Sequence, residues 1–347
     1  ASIREKITQV ESTYTQELTE NHTSPMSVLI ERFSLTDLVV DFLWSAVALV
    51  ADPRVLPLAH DIVGTSARRG ISLCLYSIVA HLNGQQCRDL ALELHPGHAL
   101  FTSHLLENTE HAVGAMAMPL GANRRLVSFL AGDNRLDPEL SANGGFLNIP
   151  EQLVHDQAQR DALVRMKEAL DANDGIVVIV EGPADSGRRT AAACAAKRTN
   201  GNDHQEKRCI AIDVSRLTRS TSHLQHILDA LHRDCVLHHA IPVVSHIEEL
   251  LAGEDGGARM RILANFLENA PDTAVVTTAQ AGLDLNIHRS LVRIAWPIPD
   301  TQDRTELWKQ YLGTAASNVA SNVEELAMRY RLGAGGIARA VKSAALI

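Results

Sequence analysis

Ile176-Val177-Val178-Ile179-Val180-Glu181-Gly182-Pro183-Ala184-Asp185-Ser186-Gly187-Arg188-Arg189-Thr190 decides how the rest of this chain is read. The unbroken apolar run predicts a buried strand over Ile176–Val180, Gly182-Pro183 a sharp turn, and the alanine-rich run after Gly187 a helix over Arg188–Thr199. In a strand–loop–helix of this kind, successive backbone N–H groups converge on an anion and the helix N-terminus adds a favourable dipole. Gly182 and Gly187 satisfy the G-x-x-x-x-G spacing of such a loop. The next two positions depart from it. Arg188 stands where a lysine would reach the β/γ-phosphates, Arg189 where a Ser/Thr hydroxyl would hold Mg²⁺, and Thr190 comes one position late. The stretch has the shape of a phosphate cradle with altered side-chain chemistry. An ordinary glycine-rich turn is the alternative, and the downstream sequence counts against it.

Downstream, apolar strands alternate with helices. Strands are expected at Ile176–Val180, Cys209–Val214, Ile241–Ser245, Ala274–Thr278 and Val292–Trp296, with helices at Thr221–Cys235 and Arg259–Asn269. That alternation implies a parallel sheet covered on both faces, with any ligand at the carboxyl ends of the strands, where the Gly182–Thr190 loop lies. Helices at Thr301–Leu312, Val323–Tyr330 and Gly335–Leu346 form a small appended domain. The expected fold class is α/β, a P-loop NTPase-type parallel sheet with a helical lid, preceded by a mainly helical domain.

Upstream, the polar residues of 1–30 read as an arm or a loosely attached helix, and 31–132 as a helical, winged-helix-like domain. Ser34-Leu35-Thr36-Asp37 resembles a capping box opening a helix from Leu38 to Ala51, which Asp52-Pro53 ends. An apolar helix follows over Ser72–Leu82, closed by Asn83-Gly84, then another over Gln86–Leu94. Short helices and tight turns in this order resemble a helix-turn-helix or winged-helix module. Reading a DNA groove would need donors near Arg68-Arg69, but the apolar helix behind them favours burial and protein contacts. Cys87, His95, His98 and His104 do not form a closed ligand set, so these histidines are read as solvated or capping groups and no metal is expected. Arg124–Gly132 reads as a short amphipathic helix. Asp133–Pro150, rich in Asn, Gly and Pro, reads as a linker over 133–150, and a charged helix follows over Glu151–Ala172.

Bulk composition narrows the function classes. A chain of 347 residues has room for two or three domains, and 46% hydrophobic against 21% charged residues marks it as folded. A net charge of −9 argues against nucleic-acid binding over the whole surface. The five cysteines are odd in number and lack a C-x-x-C pair, which fits free thiols in a reducing, cytoplasmic compartment. No secretory-signal pattern opens the sequence, and the apolar run Leu38–Val50, broken by Asp41, is too short to cross a bilayer.

ATP hydrolysis on this frame needs a second strand ending in acids, one for Mg²⁺ and one to polarise water. After Ile241-Pro242-Val243-Val244 stand Ser245 and His246, with Glu248 and Glu249 following as the expected solvated start of a helix. Over roughly 150–347 these features together resemble the AAA+ ATPases. The phosphate loop, the strand into Ser245, the polar-ended strand Ala274–Ala279, the run Leu283-Asp284 to Pro297-Ile298-Pro299-Asp300 with Arg304 and Leu307-Trp308, and Gly333-Ala334-Gly335-Gly336-Ile337 fall in the family's order. The α/β core would be 151–299 and the lid 300–347.

The resemblance assigns phosphate contact to Gly182, Pro183, Ser186, Gly187, Arg188, Arg189 and Thr190. It makes Thr278 the first sensor, with a neighbouring residue as the alternative, and Arg339 the second sensor. Arg289, with Arg293 as competitor, becomes the finger reaching a neighbouring subunit. It implies ATP or ADP as ligand, a homo-oligomeric ring, and a protein substrate or injection-system component as partner, with neither membrane nor nucleic acid expected. The altered Arg188-Arg189 and Ser245-His246 positions imply a degenerate module with doubtful Mg²⁺ and poor hydrolysis. Residues 34–132 resemble the region preceding tandem AAA+ modules in ATPases encoded with contractile injection systems, on Asp52-Pro53-Arg54-Val55, Arg68-Arg69 and Asn123–Gly132. In such proteins the first module is commonly the worn one, and an active second module would begin where this sequence stops. A non-enzymatic scaffold and a DNA-binding AAA+ regulator are the alternatives.

Overall fold

The computed structural model describes residues 24–63, 70–108, 115–150, 156–172, 175–197, 207–270, 272–313 and 320–345. Two compact units divide the chain, Ala1–Arg135 and Leu136–Ile347.

The first unit is helical with a small antiparallel sheet. Pro25–Phe33 (α1) is capped by the Ser24 hydroxyl, Asp37–Ala51 (α2) by that of Thr36, and Val55–Val63 (α3) follows. The box expected at Ser34 is corrected. Ser34 closes α1 in a left-handed conformation (φ 50°), and its N–H donates to the Ile30 carbonyl. The cap of α2 sits two residues later. The arm assigned to 1–30 likewise gives way to helix from Pro25, because Met26 and Leu29 bury the apolar side of α1.

Ile71–Ser72 (β1), Leu106–Asn108 (β2) and Pro119–Ala122 (β3) pair antiparallel in the order β1-β3-β2. Between and after them lie Leu73–Val79 (α4), Gly84–Glu93 (α5), Ala99–Thr102 (α6) and Arg124–Leu130 (α7). Asn83, expected to close a helix, instead opens α5 through a reciprocal capping box with Gln86. Phe42 of α2 meets Tyr76 of α4 edge to face at 5.3 Å inside the core. Nδ1 of His98 caps α6, accepting from the Leu100 N–H. Arg68 and Arg69, on which a groove-reading role rested, lie outside the described residues.

The second unit is a six-stranded sheet with helices on both faces. Gly144–Phe146 (β4), Val177–Glu181 (β5), Arg208–Asp213 (β6), Ala240–Ser245 (β7), Ala274–Thr278 (β8) and Leu291–Ala295 (β9) lie in the order β4-β6-β7-β8-β5-β9. All pair parallel except β4, which is antiparallel to β6. Strand alternation splits the core. Val177 and Ile179 face Pro138–Asn143 (α8), Thr221–Leu237 (α11) and Gly256–Asn269 (α12) through Leu140, Leu228 and Leu267. Val178 and Val180 face Gln157–Asp171 (α9) and Arg188–Ala196 (α10) through Met166, Ala191 and Ala192. This is the covered parallel sheet the apolar strands require.

The linker expected over 133–150 is corrected. Leu140 is fully buried, and β4 extends the sheet. Its glycine content serves contact, since a Cβ on Gly144 would lie 1.9 Å from the Ala211 carbonyl oxygen. Thr301–Leu312 (α13), Ala320–Arg329 (α14) and Ala334–Ala344 (α15) form the lid around Leu307, Trp308, Val323, Ala327 and Ile337. Arg304 holds it together from inside, donating to the carbonyls of Pro299 and Ala327.

Candidate functional site

The parallel strands finish at one end of the sheet, and the Gly182–Gly187 loop leaves β5 there. Gly182 is fixed by proximity. Its N–H donates to the Thr278 carbonyl at 3.1 Å, and a Cβ would come within 2.2 Å of the Trp296 carbonyl oxygen. The Pro183 carbonyl accepts from the Ser186 N–H at 3.3 Å, closing the turn. Asp185 (φ 59°) and Gly187 (φ 95°) are both left-handed, which turns the chain into α10 with Gly187 at its N-cap. Trp296, just past β9, supports the loop from below, its indole N–H donating to the Ser186 carbonyl at 3.0 Å.

A cavity of about 180 Å³ opens over this loop. Ser186, Gly187, Arg188, Arg189 and Thr190 form one wall, and Leu307, Gln310, Tyr311 and Gly335 of the lid form another. Ser186 and Arg188 are 2% and 4% exposed, yet the Ser186 Oγ and one terminal nitrogen of Arg188 have no partner. Burial lowers the Arg188 pKa, and the carboxylates of Glu248 and Asp185 oppose that shift.

Carboxylates and guanidinium groups alternate around the loop. Asp213, at the end of β6, accepts from the Ser215 hydroxyl at 2.6 Å, meets Nδ1 of His246 at 2.9 Å, and has Arg189 and Arg216 at 3.7 Å. Burial pushes the Asp213 carboxyl up. The hydrogen bonds to His246 and Ser215 and the charges of His246 and Arg189 outweigh it and hold the group below the ordinary carboxylate range. Asp185 pairs with Arg339 of α15, while the Asp185 carbonyl accepts from the Gly335 N–H at 3.0 Å. A Cβ on Gly333 would stand 2.3 Å from Ser186 Cα, so lid and loop pack backbone to backbone.

Of the residues singled out in the sequence, the loop positions 182, 183 and 186 to 190 and Arg339 come together here. Thr278 does not line the cavity. Its hydroxyl closes a turn by accepting from the Gln280 N–H, and the neighbouring Thr277 takes the cavity wall. Arg289 lies at the other end of the sheet, where the strands begin. Its guanidinium donates to the carbonyls of Gly175, Leu267, Ala270 and Asp272 of its own chain. Arg293 pairs with Glu181 and donates to the Leu283 carbonyl.

Glu248, expected on a solvated helix face, sits on a 3₁₀ turn, Ile247–Leu251, with one buried carboxylate oxygen lacking a partner. Its coupling to Arg188 was invisible in the sequence, because it depends on His246 turning left-handed (φ 60°) after β7. Trp296 carried a signal: a buried indole N–H usually has an acceptor, and here it is the Ser186 carbonyl.

Magnesium does not fit these residues. It asks for hard oxygen ligands in near-octahedral array. Here the hydroxyl position after the loop is Arg189 and β7 ends in Ser245-His246, so the oxygen donors expected at both places are replaced. No described helix is long and apolar enough to cross a membrane.

Residues 300–346 match the family model of the contractile injection system ATPase helical domain. The resemblance carried by Asp300, Arg304 and Leu307-Trp308 therefore holds over the lid. No curated protein matches the chain. Among solved structures, one described as the structural basis for katanin self-assembly is similar at 13% identity and a TM-score of 0.44, covering 60% of this chain and 75% of that one. C. elegans PCH-2 is similar at 10% identity and a TM-score of 0.41, covering 54% of this chain and 63% of that one. Likeness at that distance carries no argument about function.

Proposed function

We propose, from the match of residues 300–346 to the contractile injection system ATPase helical domain, that this chain is the front adaptor and degenerate first module of an AAA+ ATPase. It binds ATP or ADP, hydrolyses poorly, and contributes to a homo-oligomeric ring that remodels a protein partner. The observation that carries the nucleotide reading is the buried, partnerless Ser186 hydroxyl and Arg188 nitrogen lining one cavity with the N-terminus of α10. Buried donors without partners cost stability, and an anion bound in this cavity would supply the acceptor that these two lack.

The lining supplies two kinds of contact. Loop N–H groups, Ser186 and Arg188 offer donors to phosphate oxygens, and Arg189 and Thr190 extend that wall. Pro150, Pro299, Leu307 and Tyr311 offer an apolar and aromatic wall to a base. Hydrolysis needs a carboxylate or equivalent base aimed at water. Asp213 is held by His246 and Ser215, and Asp185 by Arg339. Calorimetric titration of the purified chain with ADP and ATP tests binding, and phosphate release tests turnover. Binding with turnover no faster than that of Arg188→Ala is expected. Ordinary ATPase rates abolished by Arg188→Ala would overturn the inactive reading.

One observation favours a second reading, a scaffold that kept the fold for protein contacts. Asp185 already provides Arg339 with an anion and Gly335 with an acceptor, so the loop and lid satisfy each other internally. Absence of heat on titration with either nucleotide supports that reading. Salt-sensitive binding to duplex DNA would instead favour a regulator, for which the first unit offers short helices and a small three-stranded antiparallel sheet.

A further inference from the structure

We infer that the cavity takes the polyphosphate of a nucleotide without a divalent cation, Arg188 and Arg189 supplying the positive charge that magnesium supplies in ordinary phosphoryl-transfer sites. The inference rests on the nucleotide reading and goes past it, because it names the ionic form of the ligand.

Two sets of observations converge. The first points to an anion. Ser186 and Arg188 line the cavity, and the Ser186 Oγ and one terminal Arg188 nitrogen are buried without a protein partner, beside the N-terminus of a nine-residue helix whose cap, Gly187, is left-handed. The second excludes the usual counter-ion. The carboxylates that flank the loop already face cations. Asp213 meets His246 at 2.9 Å with Arg189 at 3.7 Å, and Asp185 is paired with Arg339. The hydroxyl and acid positions that would hold magnesium are Arg189 and Ser245-His246, so a dication placed here meets guanidinium groups instead.

Arg189 is the residue to watch. At 3.7 Å from Asp213 its fork is close enough to be held in place but too far to be hydrogen-bonded, and the side chain remains 43% exposed. A phosphate on the loop offers it the bidentate geometry that the carboxylate does not. The substitution that removes the magnesium hydroxyl therefore also installs a replacement charge at the same place.

The test is calorimetric titration of the full chain with ADP and with ATP, in excess EDTA and again in excess Mg²⁺. The expected result is binding in EDTA that is equal to or tighter than in Mg²⁺. Arg189→Thr should weaken binding in EDTA by about tenfold, the scale of a lost charge-assisted hydrogen bond, while Arg189→Lys recovers part of it. Because Arg189 is partly exposed, an unchanged unfolding midpoint shows that these variants fold. Binding in Mg²⁺ that drops tenfold or more in EDTA overturns the cation-free inference and leaves the nucleotide reading standing. Equal binding by Arg189→Thr and the parent in EDTA overturns the role of Arg189. No binding in either buffer overturns the nucleotide reading and this inference with it.

Discussion

Gly182 shows how one residue fixes the site. Its place is set by the Trp296 carbonyl oxygen, which a Cβ would approach to 2.2 Å. That obstacle is backbone, so it cannot swing aside. Gly182→Ala should cost about 1–3 kcal/mol, the range for overpacking, and lower the thermal midpoint. Gly257, in the first turn of α12, has nothing within 4 Å of the point where a methyl would stand. It is the control, and Gly257→Ala should leave the midpoint unchanged or raise it.

Asp213 gives a pH signature. Its folded-state pKa lies below the ordinary carboxylate value, so its stabilisation is fully present above that value and is lost as pH falls toward the lowered one. Urea midpoints should fall between about pH 5 and about pH 3, and Asp213→Asn should flatten part of that fall. An identical pH dependence in the variant would show that the His246–Asp213 contact contributes nothing. Arg289 belongs to the same scale. Its four main-chain acceptors make it a brace at the start of the strands. Arg289→Ala should therefore destabilise this chain by about 1–3 kcal/mol in a denaturant titration, whether or not a second subunit is present.

Among the elements, α8 and β4 departed furthest from their sequence. Residues 133–150 read as a linker because Asn, Gly and Pro outnumber apolar residues, yet Leu140 is fully buried and Gly144 pairs with Ile212 at the sheet edge. A strand of three residues has no periodicity to read, and a glycine required for close approach cannot be told from a flexible one. The five parallel strands were legible within one residue at each end, because four of them are apolar runs buried in the sheet and β9 keeps Leu291, Val292 and Ile294 around its one arginine. The loop was legible from its glycine spacing and the lid from its family resemblance. Asp213, Glu248 and Thr277 were not, since their roles depend on which strands neighbour which, and the order β6-β7-β8-β5 is a tertiary fact. Leu140→Ala should cost about 2–5 kcal/mol in chemical denaturation, as for a core leucine. A linker leucine would cost almost nothing, so a change below about 0.5 kcal/mol would return this segment to linker status.

At the scale of the whole molecule, the two units each bury a core of their own, around Phe42, Leu43 and Leu126 in the first and around Ile179, Ile212 and Val276 in the second. Separate cores make a single two-state transition the wrong expectation for the full chain. The cavity lies entirely within Leu136–Ile347, so a ligand bound there stabilises that unit by mass action. At a nucleotide concentration of about one hundred times Kd the gain is about 2.7 kcal/mol, or roughly 5–10 °C for a unit of this size. Differential scanning calorimetry of the full chain with ADP should move one transition upward by that amount and leave the other in place. Repeating the scan in EDTA should give the same shift, because the charge proposed to hold the phosphates is covalently part of the chain. Both transitions moving together would show that binding stabilises the first unit as well and would overturn the separate-core expectation.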